Sequence, residues 1–188
     1  MPSELTFVEP VALPRQSAVT RLYASTNLAD AFAVRLPPGS STDPEVLWRF
    51  VMSQQPSWIG WLTRFRDGIV ACFGLKTARR LSTLSDDAGG DRIAFFRVYS
   101  RGESEIVLGE DDRHLDFRLS VLRSPDPSPT EGGQLTVSTV VRCHNRLGRA
   151  YIRIIAPFHR LVVKASLRRA AQVGWPRAGT GTGPAADR

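Results

Sequence analysis

The feature that most constrains the fold is a long helical pattern near the carboxy terminus. Asn145 can cap a helix that begins directly after it and runs for about 28 residues to Gln172. Apolar residues recur along it at helical spacing, at Leu147, Tyr151, Ile154, Ile155, Phe158, Leu161, Val162 and Ala165. Pro157 predicts a kink within it. An apolar stripe about 40 Å long needs a partner surface elsewhere in the chain.

Alternating segments upstream of this helix predict an antiparallel sheet that supplies the partner surface. Asp30–Leu36 alternates until Pro37-Pro38-Gly39 stops it, and it reads as the first strand. The later strand patterns are Arg92–Tyr99, Glu105–Glu110, His114–Leu122 and Leu135–Cys143. Short turns separate most of them, so pairing in a meander is the economical topology. In His114–Leu122 the apolar residues face one way and the polar residues the other, which predicts one buried and one polar face for this strand.

Two short helices are predicted between the first strand and the meander. Thr42 or Asp43 can cap the first, which begins at Pro44 and ends near Gln54. Its apolar stripe is Val46, Leu47, Phe50 and Val51. The second begins at Ser57, and its aromatic stripe is Trp58, Trp61, Leu62, Phe65, Ile69 and Phe73, before Gly74. Such a stripe is more typical of core packing than of base stacking.

Composition and terminal patterns set the class of protein and the domain bounds. The 188 residues fit one domain, which we place at 30–172, after an amino-terminal extension at 1–29 and before a tail at 173–188 that is expected to lack order. Neither a signal peptide nor a membrane-spanning run is evident. Cys72 and Cys143 lack a CxxC spacing, so a reducing cytoplasmic setting is expected.

The densest polar cluster is the candidate catalytic site. Alternation places Asp112, His114 and Asp116 on one side of a strand, where His114 could act as a base oriented by either carboxylate. The alternative is a solvated turn in which the acids pair with Arg113 and Arg118. The three histidines are not at metal-ligand spacing, and no GxSxG, P-loop or HExxH motif occurs, so no metal or cofactor is predicted.

Positive charge is concentrated at the carboxy-terminal end of the chain. The net charge is +7, and the residues from Arg142 to Arg188 hold ten Arg or Lys and one acid. On the long helix, basic residues at Arg149, Arg153, Arg160 and Lys164 form one face. Such a face could attract anionic lipid, nucleic acid, a phosphate or an acidic partner, but a solvated face is the commoner outcome. Nucleic acid is not expected, because exposed aromatics and a known motif are not evident.

The order of elements and several phrases carry a resemblance to a known group. The phrases are DAFAVRLP at 30–37, FGLKT at 73–77, GDRIAFFRV at 90–98, LGEDDRHLDFRLSVL at 108–122 and HNRLGRAYIRIIAPFHRLVV at 144–163. The chain resembles an uncharacterised bacterial family of unknown function in the START-like, or SRPBCC, helix-grip superfamily. That family occurs alone or behind NAD(P)-binding, epimerase-like domains. The resemblance implies an α+β fold in which a curved antiparallel sheet wraps around the long helix and leaves a cavity for apolar molecules.

Three functions follow as hypotheses. The first is binding of an apolar small molecule between the sheet and the helix, in a pocket lined by Phe95, Phe117, Val137, Tyr151, Ile155 and Phe158. The second is a cyclase, aromatase or dehydratase activity, as in some helix-grip relatives, which uses His114 with Asp116 or Asp112. The third is an interaction protein whose basic helix face meets an acidic partner, such as a separate NAD(P)-binding protein.

Overall fold

The structure is a computed structural model that describes residues 6–60, 91–94, 96–125 and 132–179. Its strands are β1 (Val8–Val11), β2 (Leu28–Leu36), β3 (Arg92–Ile93), β4 (Phe96–Arg101), β5 (Glu105–Asp111), β6 (Leu115–Pro125) and β7 (Gly133–Cys143). Its helices are α1 (Pro44–Ser53) and α2 (Arg146–Val173), and residues 57–60 are also helical. The predicted α+β class, with an antiparallel sheet and a long carboxy-terminal helix, is confirmed.

The sheet is an open antiparallel one in the order β1-β2-β7-β6-β5-β4-β3. From β3 to β7 each strand pairs with the next in sequence, which is the predicted meander. The early strand β2 pairs with β7 along its whole length, from Leu28 opposite Val141 to Leu36 opposite Gly133. Because β7 leads directly into α2, the helix returns across the sheet over β2.

One face of the sheet, which we call the inner face, carries the main core. α2 packs on β1, β2 and β7, and α1 packs on β5 and β6. The buried side chains of this core include Phe32, Val34, Leu36, Leu47, Trp48, Val51, Ile106, Leu108, Leu119, Val121, Leu135, Val137, Leu167 and Ala170. Strand alternation places the even positions of β2 and the odd positions of β6 and β7 on this face.

Helix α1 begins and ends where the sequence predicts. Asp43 Oδ1 accepts hydrogen bonds from the backbone N–H groups of Glu45, at 2.7 Å, and Val46, at 3.4 Å. Pro44 is the first helical residue, where its missing N–H costs nothing. The buried face differs from the predicted one: Trp48 is in the core, whereas Val46 and Phe50 are only half-buried.

Helix α2 has the predicted start and length, but its exposed side is partly apolar. Asn145 caps it, and Pro157 lies inside it without ending it. The predicted apolar stripe is not all buried, since Ile154, Phe158 and Leu161 are 46%, 39% and 53% exposed. The deepest contacts come from the adjacent side, at Ile152, Ser166, Leu167 and Ala170. Neither described helix is long and apolar enough to cross a membrane.

The opposite, outer face of the sheet is covered by the segment that precedes β2. Val19 is buried against Val107 and Val140 in a small apolar cluster. The Ser17 hydroxyl donates to Glu105 Oε1 at 2.6 Å, and the backbone N–H of Ala18 donates to Glu105 Oε2 at 3.1 Å. The polar face predicted for β6 is therefore not solvated throughout, and Ser120 on it is fully buried.

Residues outside the predicted 30–172 domain also belong to the folded part. β1 extends the sheet along β2, from Val8 opposite Val34 to Val11 opposite Ala31. At the other end, Trp175 is buried in the main core, and the Ser41 backbone N–H donates to the Pro176 carbonyl at 2.7 Å. Trp175 thus lies in the stretch predicted as a tail and is buried in the core.

The segment predicted as one strand at Arg92–Tyr99 is two. β3 and β4 pair with each other through a tight reversal, with Ile93 opposite Phe96. Ala94 takes a left-handed backbone conformation there, with φ 55°, which a tight hairpin requires. Alternation alone could not reveal this reversal, because neither glycine nor asparagine marks it. Most of the predicted second helix after Ser57 lies outside the described residues.

Candidate functional site

His114 is buried at the junction between the β5–β6 turn and the start of α2. Its Nδ1 lies 2.8 Å from the side-chain Nδ2 of Asn145. The Oδ1 of the same amide accepts the Gly148 N–H at 2.9 Å, which orients the amide so that Nδ2 donates to the imidazole. Nδ1 is then the acceptor nitrogen, and Nε2 lies 3.2 Å from the Arg113 guanidinium. These contacts link the β5–β6 turn to Asn145, the residue that caps α2.

The carboxylates predicted to orient His114 have other contacts. Asp116 Oδ2 lies 3.0 Å from Nε2 of His144. The Asp112 carboxylate accepts the backbone N–H of Arg113, and its own N–H donates to the Leu115 carbonyl at 3.0 Å across the turn. Within the described residues, no carboxylate lies within ion-pairing distance of His114. The structure therefore brings Asp116 to a different histidine and leaves the predicted His114–Asp116 pair apart.

A polar cluster on the outer face surrounds Asp111 at the end of β5. Its carboxylate accepts a hydrogen bond from Arg118 Nη1 at 2.7 Å and one from the Tyr99 hydroxyl at 2.8 Å. Burial alone would raise the pKa of Asp111, but these two hydrogen bonds hold it below its ordinary value. Burial and the bond to Asp111 raise the pKa of Tyr99 to about 12.

The Arg118 side chain also lies over an aromatic ring in this cluster. Its Cζ is 3.5 Å from the centre of the Tyr99 ring. Gly109 makes room for it, since a Cβ there would stand 2.9 Å from Arg118 Cδ and 2.3 Å from the Phe117 carbonyl oxygen. The hydroxyl of Tyr23 is buried on this face without a hydrogen-bond partner among the described residues. Most groups of the cluster satisfy one another, which is typical of a structural network.

A second carboxylate–histidine contact lies on the inner face, between β2 and α2. Asp30 is only 10% exposed at its side chain, and its Oδ1 lies 3.3 Å from His159 Nε2. Its Oδ2 accepts from Arg160 Nε at 3.2 Å. One turn further along α2, Lys164 Nζ lies 5.2 Å from the centre of the Phe32 ring. A carboxylate, a histidine and an arginine thus meet where the helix crosses an otherwise apolar strand face, and a lysine lies one turn away.

Sequence reasoning missed Asp30 and His159, although a signal was present. Every second residue of a strand faces the same side of the sheet, so Asp30 faces the core together with Phe32, Val34 and Leu36. Buried carboxylates need partners, and the partner had to come from whatever element covered that strand. The sequence did not reveal that α2 covers β2, because the pairing of β2 with β7 sets this geometry.

Three of the six predicted pocket residues come together beside this contact. Tyr151 is buried in a small cluster with Leu28, Leu115, Val141 and Ile152, and Phe117 and Ile155 pack against it while remaining half-buried. Val137 lies in the main core instead. Phe158 is an exposed residue of α2, and Phe95 lies outside the described residues.

The half-buried Phe117 has an aromatic and an ionic neighbour on the inner face. Its ring centre is 5.9 Å from that of Phe96, with the rings edge to face. Glu110 is directly opposite Phe117 in the β5–β6 register. The Glu110 carboxylate accepts from Arg92 Nη2 at 2.8 Å, and both side chains are mostly buried. Apolar rings and one neutralised ion pair therefore share this part of the inner face.

A small open cavity of about 240 Å³ lies at the far end of β2, away from these contacts. Its wall includes the Pro37-Pro38-Gly39 turn, Arg123 and Ala178. Gly132 closes one side, with its backbone so near Leu36 that a Cβ would stand 2.2 Å from the Leu36 carbonyl oxygen. Among the described residues, no group of three or more His, Cys, Asp or Glu side chains is arranged to hold a metal ion.

Comparison with known proteins identifies the chain by family. Neither the curated proteins nor the solved structures include a match to it. The model of one family, described as a protein of unknown function (DUF2867), matches residues 22–166, which run from before β2 into the last third of α2. The protein therefore belongs to the DUF2867 family.

Proposed function

We propose that this protein binds an apolar small molecule on the inner face of the sheet, against α2. The observation that carries the proposal is the half-burial of Phe117 and Ile155 beside the Tyr151 cluster. Side chains of this size on the core side of a sheet are usually fully buried unless the site admits something else. The small cluster is also separate from the main core, which favours a space between the two.

Polar groups at the border of this region suit the orientation of a ligand. The Arg92–Glu110 ion pair adjoins Phe117, and the Asp30–His159 contact lies where α2 crosses β2. Small-molecule sites typically combine an apolar lining with a few polar groups of this kind. We therefore expect a ligand with an apolar body and one or two hydrogen-bonding groups.

The proposal extends to the superfamily of the protein, its compartment and a partner. An antiparallel sheet with a long carboxy-terminal helix on one face is consistent with the helix-grip arrangement, and we propose membership of the START-like superfamily on that basis. We also propose a cytoplasmic protein that cooperates with a separate NAD(P)-binding protein, by analogy with the fused architecture that the sequence resembles. Fold analogy supports these statements without assigning a reaction.

A fluorescent probe tests the binding site directly. The neutral dye Nile red is expected to bind the full chain saturably and to be displaced by an apolar ligand. Ile155→Trp should fill the space beside Phe117 and lower the affinity for Nile red at least tenfold. Ile154→Trp, at the exposed neighbouring position on α2, is the matched control and should leave that affinity unchanged.

Two outcomes would contradict the binding proposal. One is a native chain that does not bind Nile red saturably. The other is an equal loss of Nile red affinity in both tryptophan variants. Thermal unfolding followed by circular dichroism shows whether Ile155→Trp has kept the fold, and Ile155→Phe is a milder second variant if it has not.

A second candidate function is acid–base catalysis on the bound molecule, which the His159–Asp30 contact favours. This pair lies on the inner face, whereas the His144–Asp116 pair lies on the outer face. A carboxylate that orients a histidine is a common arrangement for a general base. We propose His159 as the base and Asp30 as its partner, in place of His114 with Asp116 or Asp112.

Product formation separates catalysis from binding alone. Compounds that displace Nile red are incubated with the chain, and their masses are followed. His159→Gln should abolish any turnover while the compounds still displace the dye, and His144→Gln is the control that should keep full activity. Turnover that survives in His159→Gln would exclude this residue as the base.

A further inference from the structure

Helix α2 exposes a set of large apolar side chains that the proposed ligand site does not use. Ile154, Phe158 and Leu161 are each more than a third exposed. Their spacing of four and three residues places them on one line along the helix. We call this line the exposed stripe. Contiguous apolar surface of this kind on a folded protein usually marks an interaction site.

A dense row of positive charge lies beside the exposed stripe. α2 contains seven basic residues and no acid, at Arg146, Arg149, Arg153, Arg160, Lys164, Arg168 and Arg169. Arg146, Arg153 and Arg160 repeat every seven residues and therefore form a second line along the helix. Ile154 and Leu161 each follow one of these arginines directly, so the two lines are adjacent, about 100° apart around the helix.

Most of this charge is not neutralised within the described part of the chain. Asp30 is the one carboxylate there within ion-pairing distance of an α2 arginine, and it contacts Arg160. Six of the seven basic residues are exposed, and Lys164 is half-buried. An occupant of this surface must therefore be apolar enough for the stripe and negatively charged for the row beside it.

We propose that α2 docks this protein on an anionic lipid surface. A basic amphipathic helix binds such a surface by inserting its apolar residues at the headgroup boundary while its cations meet the lipid charges. A second copy of the chain fits poorly, because its α2 would bring the same positive charge to the contact. Nucleic acid fits poorly as well, since three large apolar side chains would face phosphates. The proposal is independent of the ligand site.

Vesicle flotation tests the proposal with the full chain. The probes are vesicles of phosphatidylcholine alone and vesicles in which a third of the lipid is phosphatidylglycerol. We expect binding to the anionic vesicles at 100 mM NaCl, at least tenfold weaker binding at 500 mM NaCl, and no binding to the neutral vesicles. Failure to bind anionic vesicles more tightly than neutral ones would overturn the proposal.

Two variants separate the apolar and the ionic parts of the contact. Ile154→Ser with Leu161→Ser removes the two most exposed of the three side chains in the stripe and should weaken binding to anionic vesicles at least tenfold. Arg153→Gln with Arg168→Gln removes two cations without touching the Asp30 contact and should have a similar effect. Leu22→Ser removes a comparably exposed apolar side chain from the segment before β2 and should leave binding unchanged.

The remaining outcomes point to other occupants. If only the arginine variant weakened binding, the contact would be ionic without insertion, and docking by the stripe would be wrong. If the serine variant lowered the melting temperature but kept vesicle binding, another part of the chain would cover the stripe. A concentration-dependent dimer that the serine variant abolishes, seen by sedimentation together with no vesicle binding, would assign the surface to a second copy.

Discussion

Asn145 joins two parts of the molecule through the two ends of one amide group. Its oxygen caps α2, and its nitrogen donates to the imidazole of His114, which belongs to the turn before β6. A capping residue is readily recognised from sequence, but its second contact depends on how the turn meets the helix. The same amide thus gives the buried His114 a hydrogen-bond partner where the described residues offer it no carboxylate.

Substitution of Asn145 should separate its two contacts. Asn145→Ala removes both and is expected to lower the free energy of unfolding by about 2 kcal/mol, about half from the cap and half from the bond to His114. Asn145→Ser retains a capping oxygen and should cost about 1 kcal/mol. Urea unfolding measures both, and equal stability of the alanine variant and the native chain would contradict the two contacts.

Asp111 should make stability depend on pH in the acidic range. Its folded pKa is below the ordinary value of 3.8 because Arg118 and Tyr99 donate to the carboxylate, although burial opposes them. Its stabilisation is therefore complete above that ordinary value and is lost as the pH falls through the lower folded value. Asp111→Asn should melt at a lower temperature than the native chain at pH 7, with a difference that shrinks towards pH 2.

Calorimetry across this range checks the sign of the effect. Asp112→Asn in the neighbouring turn is the matched control, because it makes the same change of side chain next to Asp111 and leaves the bonds from Arg118 and Tyr99 to Asp111 in place. A difference between Asp111→Asn and the native chain that grows as the pH falls would show that the Asp111 carboxylate is not stabilised by its two donors.

The positions where helices begin could be predicted from the sequence, because a few consecutive residues determine them. Which side of each helix faces the core could not be predicted. The Asp43 and Asn145 caps predicted the starts of α1 and α2, since a cap depends on four or five consecutive residues. Which side of α2 is buried depends on the strands beneath it. The apolar residues of α2 cover so much of the helix circumference that either of two adjacent sides could face the sheet. The prediction therefore buried Phe158, which is exposed.

The close approach of α2 to the β6 turn gives a test at the level of elements. A Cβ on Gly148 would stand 2.3 Å from the His114 carbonyl oxygen, so Gly148→Ala must push the first turn of α2 away. We expect a loss of about 2–3 kcal/mol in the free energy of unfolding. Gly60→Ala, where a Cβ meets nothing within 4 Å, is the control and should not destabilise the chain.

Chemical denaturation distinguishes the two alanine variants. Gly148→Ser should be at least as damaging as Gly148→Ala, because it adds a further atom at the same crowded point. If Gly148→Ala and Gly60→Ala had the same stability, the contact between the helix start and the turn would be looser than the structure has it.

At the scale of the whole molecule, both terminal segments belong to the folded unit. β1 and Val19 come from the predicted extension, and Trp175 comes from the predicted tail. Short segments with few apolar residues carry weak sequence patterns, so a partner element, and not their own composition, makes them ordered. The candidate site depends in the same way on contacts between distant elements. Asp30 and His159 meet only when the sheet and α2 are assembled.

Truncation should show how much the terminal segments contribute. A chain of residues 30–172 lacks the buried side chains of Val8, Val19 and Trp175, each worth about 2 kcal/mol when buried. Its melting temperature is expected to be at least about 10 °C below that of the full chain. A chain of residues 6–179 is the control and should melt close to the full chain. Equal melting of 30–172 and 6–179 would show that the ends are dispensable.

The place of β7 in the sheet has a consequence for synthesis on the ribosome. β2 emerges early, but its neighbour β7 and the helix that covers it are made last. Until then β2 can pair only with β1, and its other edge and its apolar face have no native partner in the nascent chain. Contacts between distant parts of a chain form slowly. For most of its translation the growing polypeptide therefore exposes an aggregation-prone strand. Chaperones that bind nascent chains are expected to recognise it.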